Sequence, residues 1–257
     1  MNMICNLHTH TFRCNHASGT EREYIENSIA AGLKTIGFAD HSPYVFPEGY
    51  YSGFRMKPEQ QEDYVNTLLA LREEYKGRID VWIGYEAEYY PGFFSRTIEM
   101  FKRFPVDYLI LGQHFIKNEF DGAYSAQRTD SEELLKDYVD QVCEAIKTGM
   151  YTYVAHPDLV AYTGDQKTYE KHYSRLIETA GSAGLPLEIN CLGIRDDRHY
   201  PSDRFFELCG RIGAEVCVGS DAHSPDVAYD GPSWEKAKQM IGEYGLRFNP
   251  QPALRML

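Results

Sequence analysis

No two of the six cysteines form a C-x-x-C pair. That absence argues against a disulfide framework and against a cysteine-built zinc module. Cys5, Cys14, Cys143, Cys191, Cys209 and Cys217 read as reduced thiols of a cytoplasmic protein. No apolar run approaches the roughly 20 residues that span a bilayer, so no membrane association is expected. The opening residues pass directly into polar sequence, so no secretory signal is expected either. Pro/Gly/Ser linkers, low-complexity tracts and short repeats are also missing. The 257 residues are therefore expected to form one domain over 1–257, long enough for a sizeable core. Basic residues are the minority: 26 Lys+Arg against 38 Asp+Glu leave a net charge of −12. Such a surface repels long nucleic acids, whose binding rests on phosphate neutralisation. A small phosphorylated substrate remains compatible if divalent cations reverse the field locally.

What is present is a recurring unit, a short apolar run followed by a helical pattern. The runs are 3–7, 35–39, 81–85, 108–111, 152–155, 185–189 and 215–219. Between them, Thr20 and Glu23 form a capping box closed by Gly32, and a second helix starts near Pro58. Thr129 and Glu132 read as another capping box, ahead of Leu135, Tyr138, Val139, Val142 and Ile146 at spacings of three and four. Further helices are expected over 169–180, 205–212 and 234–244. Seven strands alternating with helices predict a parallel α/β sheet. Polar clusters terminate these runs. Open doubly wound sheets place only one or two strands beside a site, whereas a closed barrel gathers all C-terminal strand ends on one face. The expected fold is a distorted (β/α)7 TIM-like barrel.

Those strand-end positions hold His8, His10, His16, His41, His114, His156 and His223, with Glu86 and Asp221. An isolated H-x-H is by default a pair of solvated histidines. Here His8-Thr9-His10 is matched by Asp221-Ala222-His223 on the last run, and alternate residues of a strand face one way. Glu88 competes with Glu86, which is preferred because it directly follows the third run. Asp40 and Asp158 are candidate outer carboxylates for His41 and His156. Cys14 is a weaker soft-ligand candidate, and His172 and His199 read as surface residues. Nitrogen and oxygen donors with little thiolate suit Zn, Mn or Fe, and two to three such ions equip a site for phosphate-ester hydrolysis.

The motifs H-T-H-T at 8–11, A-D-H-S at 39–42, G-Y-E at 84–86, G-Q-H-F at 112–115, A-H-P-D at 155–158 and S-D-A-H at 220–223 give the chain a resemblance. It resembles the PHP family of metal-dependent phosphoesterases along essentially its whole length. The resemblance implies a (β/α)7 barrel. It also implies a first metal on His8, His10, Glu86 and Asp221, a second on Glu86, His114 and His156, and a third on His16, His41 and His223. Within the family it is similar to the histidinol-phosphatase branch, on Arg55 and Met56, Leu187-Glu188-Ile189-Asn190, Gly193-Ile194-Arg195 and Tyr200-Pro201. Val160, Ala161 and Tyr162 stand where many members of that branch carry a basic residue, and Cys191 where a small hydroxyl residue is frequent.

The activity so implied is hydrolysis of a phosphomonoester, L-histidinol phosphate above others, by a hydroxide held between the ions. Arg195, with Arg198, is expected to neutralise the phosphate. Arg55 is expected to close over the substrate and Asn190 to contact it, while Asp221 or His223 protonates the leaving oxygen. One rival is a nuclease or nucleotide phosphodiesterase, which would use Tyr44, Tyr50, Tyr51, Tyr89 and Tyr90 at the rim. A non-catalytic metal-binding protein would lack a ligand. An amidohydrolase-type deaminase would need a strand-end lysine, and no run ends in one.

Overall fold

The computed structural model describes residues 3–257, so residues 1 and 2 of the expected leaderless opening lie outside it. Eight parallel strands form one curled sheet, ordered as in the chain. They are β1 (Cys5–Asn6), β2 (Thr35–His41), β3 (Asp80–Glu86), β4 (Tyr108–Leu111), β5 (Tyr151–Val154), β6 (Leu187–Asn190), β7 (Glu215–Gly219) and β8 (Arg247–Phe248). Seven are the expected runs. The eighth is a two-residue addition that pairs only with the start of β7.

Closure comes from β7 rather than β8. Beyond the ends of β1 and β7, Thr9 bridges Ala222, with His10 N–H donating to Ala222 O at 2.9 Å and Ala222 N–H to His8 O at 3.2 Å. This bridge sets the H-x-H and D-x-H segments side by side at the C-terminal mouth. At the opposite end the tail crosses the barrel, where Met256 bridges Tyr108 and Leu257 N–H donates to Asp107 O at 3.2 Å.

The helices are α1 (Glu21–Ala31), α2 (Gln61–Glu74), α3 (Phe94–Phe101), α4 (Glu132–Lys147), α5 (Gln166–Ala183), α6 (Cys191–Arg195), α7 (Asp203–Ile212) and α8 (Gly231–Glu243). Helix α1 carries the expected Thr20/Glu23 capping box and ends on Gly32 in the left-handed region (φ 89°). The start of α4 differs from expectation. Ser131, not Thr129, caps it by accepting from Leu134 N–H at 3.2 Å. Helix α3 has no side-chain cap, which removes the local signal for its start.

Alternation along the strands separates two apolar layers. Leu109 and Leu111 of β4, with Val216 and Val218 of β7, pack outward against the helices. Tyr108, Ile110 and Cys217 fill the barrel interior. The same parity turns Glu86 of β3, and Glu188 and Asn190 of β6, inward. An in-register pairing of β2 with β3 sets His41 opposite Glu86. No described helix is long and apolar enough to cross a membrane.

Candidate metal centre

All nine expected donors converge at the mouth, centred on Glu86. Its Oε1 lies 2.7 Å from His156 Nε2 and 3.4 Å from His114 Nε2. Its Oε2 lies 3.0 Å from His41 Nδ1, 3.6 Å from His8 Nε2 and 3.7 Å from His10 Nε2. Asp221 Oδ1 stands 3.2 Å from His10 Nε2, 3.4 Å from His223 Nδ1 and 3.6 Å from His8 Nε2. Four trios drawn from these nine residues bring their donor atoms within 4.8 Å of one another: His8/His10/Asp221, His8/Glu86/His156, His10/His41/Glu86 and His16/His41/His223. The last matches the third metal set implied by the resemblance.

The backbone is bent to achieve this. His156 (φ 29°) and Asp221 (φ 47°) both occupy the left-handed region, at a cost of about 1–3 kcal/mol each. Two glycines explain their motifs by close approach: a Cβ at Gly112 would collide with the Glu86 carboxylate, and one at Gly219 with that of Glu188.

A ring of carboxylates lies behind the donors. Glu188, fully buried, binds His8 Nδ1 at 2.8 Å and accepts from His156 N–H at 3.0 Å and Asn190 Nδ2 at 2.8 Å. Glu88 contacts His114 Nδ1 at 3.0 Å, so it backs a donor instead of competing with Glu86. Asp40 accepts from His41 N–H at 2.8 Å, takes the Thr11 hydroxyl and faces His10 Nδ1 at 3.4 Å, so it braces the backbone of His41 and stands behind His10. A carboxylate on the outer nitrogen fixes an imidazole's tautomer and aims the other nitrogen inward. Glu188 was legible as a charge in the middle of an apolar run. Its replacement by Gln is expected to lower metal affinity roughly ten- to a hundredfold without loss of fold. Isothermal titration of the chelated protein with Zn or Mn checks this, and unchanged affinity would remove Glu188 from the support of His8.

Among the described residues, His8 Nε2, both His10 nitrogens, His41 Nδ1, His156 Nδ1 and His223 Nε2 are buried with no hydrogen-bond partner. Buried polar groups without partners are rare. Here the orphans are imidazole nitrogens surrounding two carboxylates, and divalent cations would satisfy them. The electrostatics agree. Burial pushes the Glu86 carboxyl up, but His114, His41 and His8 outweigh it and hold it well below the usual carboxylate range. Burial likewise opposes the ionisation of Asp221, and His8 and His10 reverse that. Burial lowers His10, but the nearby carboxylates of Asp221 and Asp40 outweigh it and raise the group to about 9. Burial and the charge of His10 lower His223 to about 3. Protons thus supply positive charge that bound cations would displace. Cys14 Sγ lies within 4.8 Å of His10 and His223 donor atoms, but burial pushes this thiol up, away from the thiolate that ligates metals.

A cleft of about 550 Å³ opens onto these donors, walled by Phe54, Phe115, Tyr124, Leu159, Leu192 and Tyr200, with Asp196 and Arg198 at its edge. Several expectations change here. Arg198 lines the cleft; Arg195 does not, because it pairs with Asp230 at 2.8 Å. Arg55 is 1% exposed and bound to Glu88, Glu119 and Ser42 O, behind His114. Asn190 is buried, donating to Asp221 Oδ2 at 3.1 Å and capping α6, so it braces a donor without facing the cleft. Asp158 accepts from Ser202 N–H at 2.7 Å and ties two loops together instead of supporting His156. Tyr44 and Tyr90 pack with Phe46 in a separate buried cluster, and Phe54, Phe115 and Tyr124 form the rim in their place. His199 is exposed as expected, whereas His172 is buried against Glu132 at 3.1 Å. Val160 is buried, and Ala161–Tyr162 pairs with Arg128–Thr129, so that segment sends no cation into the cleft.

A family model described as the PHP domain matches residues 6–191. The chain belongs to the PHP domain family. This PHP chain is 31% identical over 233 residues to a Deinococcus radiodurans protein named "Probable histidinol-phosphatase", covering 88% of each chain. It is 30% identical to the histidinol-phosphatase of Bacillus subtilis, covering 86% of this chain and 94% of that one. Its fold matches the crystal structure of histidinol phosphate phosphatase from Lactococcus lactis, complexed with zinc, L-histidinol and phosphate. The TM-score is 0.74 at 22% identity, covering 96% and 95% of the two chains. The expected barrel is thus the PHP fold.

Proposed function

We propose that this chain is a metal-dependent phosphomonoesterase that hydrolyses L-histidinol phosphate. The observation that carries the reading is the convergence of every donor implied by the resemblance in one cleft, with orphaned imidazole nitrogens around Glu86. The histidinol-phosphatase names of relatives that match across most of the chain's length support the choice of substrate.

The proposed donor sets are His8, His10, Glu86 and Asp221 for one ion, Glu86, His114 and His156 for a second, and His16, His41 and His223 for a third. Zn, Mn or Fe in two or three of these positions would polarise the phosphoryl oxygens, activate water and neutralise charge on the leaving oxygen. The protein's own groups do the rest. Arg198 neutralises the outer phosphate oxygens by charge-assisted hydrogen bonds, and its Nη1 is steadied on the Tyr200 hydroxyl at 2.8 Å. Phe54, Phe115, Tyr124 and Leu192 enclose the organic group and exclude water. Asp221 and His223 were the expected proton donors. Both also belong to the donor sets, and the imidazoles of His8 and His10 hold the Asp221 carboxyl well below its ordinary range against the effect of burial. As donors they hold charge and geometry at the ions, and they stand beside the position where the leaving oxygen would take up its proton.

The test is phosphate release from L-histidinol phosphate by Zn- or Mn-reconstituted protein, with p-nitrophenyl phosphate alongside. A kcat/KM above about 10⁴ M⁻¹s⁻¹ is expected for histidinol phosphate. Slow turnover of both esters would remove this substrate. In the same assay Arg198→Ala is expected to lower kcat/KM roughly a hundredfold, the worth of a lost charged contact in a partly dry cleft, and Arg195→Ala far less. The reverse order would return the phosphate role to Arg195.

A further inference from the structure

We propose that Asp196 selects phosphate esters that carry an ammonium group close to the phosphate, by exchanging its bond to Arg198 for one to the substrate. This rests on the phosphomonoesterase reading and adds a determinant of specificity to it.

Of the charged groups lining the cleft, Glu86, Asp221 and the imidazoles belong to the donor cluster, which leaves Asp196 and Arg198. Those two are bound to each other at 2.9 Å, and each side chain is 41% exposed. Arg198 also donates to the Tyr200 hydroxyl, and the Tyr200 ring lies 5.7 Å from the ring of His156. The pair therefore stands one aromatic ring away from the metal donors.

An exposed ion pair contributes little to stability, so a ligand offering both charges can separate it readily. A phosphate dianion that engages Arg198 leaves Asp196 without its partner, beside new negative charge, in a cleft otherwise walled by Phe54, Phe115, Tyr124 and Leu192. An ammonium on the same substrate restores the balance. A substrate without one meets like-charge repulsion, which is discrimination by an unfavourable element as well as a favourable one. The preferred ligand class is thus an aminoalkyl phosphate, here with a flat ring for the aromatic wall.

The experiment compares L-histidinol phosphate with 3-(imidazol-4-yl)propyl phosphate, the same ester without its amine, on the metal-reconstituted enzyme. The wild-type preference for the amine-bearing ester is expected to be about tenfold or more in kcat/KM, in line with one charged hydrogen bond. In Asp196→Asn the ratio of the two is expected to fall close to one, whatever happens to the absolute rates; Asp196→Glu keeps part of it. A general structural role would change both rates together and leave the ratio alone. Equal use of both esters by the wild type, or a ratio preserved in Asp196→Asn, overturns the proposal while leaving the phosphatase reading intact. Hydrolysis of neither ester overturns both.

Discussion

Replacing Glu86 with Gln is expected to reduce phosphate release by on the order of 10³-fold or more, because metal-assisted charge stabilisation is worth several kcal/mol. The reason is position. One buried carboxylate stands within 3.7 Å of imidazole nitrogens on His8, His10, His41, His114 and His156. In the proposed centre it is the group that the first and second donor sets share. Glutamine keeps the volume above Gly112, so the barrel is expected to fold, with its circular dichroism and melting temperature little changed. Metal analysis of the reconstituted variant should find fewer ions than in the wild type. A variant with full metal content and kcat/KM within about tenfold of wild type would remove Glu86 from the centre.

Arg55→Met is expected to act on stability first. The guanidinium is buried between two carboxylates that are themselves buried, donating to Glu88 Oε1 at 2.9 Å, to Glu119 and to Ser42 O at 2.8 Å. Burial alone would lower this arginine's pKa, and Glu88, Tyr90 and Glu119 more than reverse it. Removing the cation strands both carboxylates. Breaking a buried pair in this way costs about 3–5 kcal/mol, or roughly 6–20 °C of melting temperature for a chain of this size. Activity should fall as well, because Glu88 orients His114. Thermal unfolding of the metal-free proteins separates the two effects. A shift under about 3 °C would mean that Glu88 and Glu119 find other partners.

The sequence carried the convergence of the nine candidate donors, because strand-end residues are fixed by local spacing. H-x-H after β1 and D-x-H after β7 each put two donors on one face, and a parallel sheet puts all such ends together. What it did not carry depends on distant contacts. Arg55 reads as a loop cation until Glu119, 64 residues away, is brought beside it. Arg195 and Arg198 lie three residues apart on one short helix and its exit, and only the position of Asp230 turns the first away. Ser131 and Thr129 offer the same capping chemistry two residues apart, and packing decides between them. Strand β8 has two residues and no apolar run, so its only signal is the neighbour it joins.

The most direct test is to strip the protein with a chelator and follow phosphate release from L-histidinol phosphate as Zn or Mn is added back in known equivalents. The nine converging donors lead to no activity in the stripped protein and a rise that saturates only at two or three equivalents. Full activity at a single equivalent, or turnover that survives complete metal removal, would contradict a multinuclear metal-dependent phosphatase.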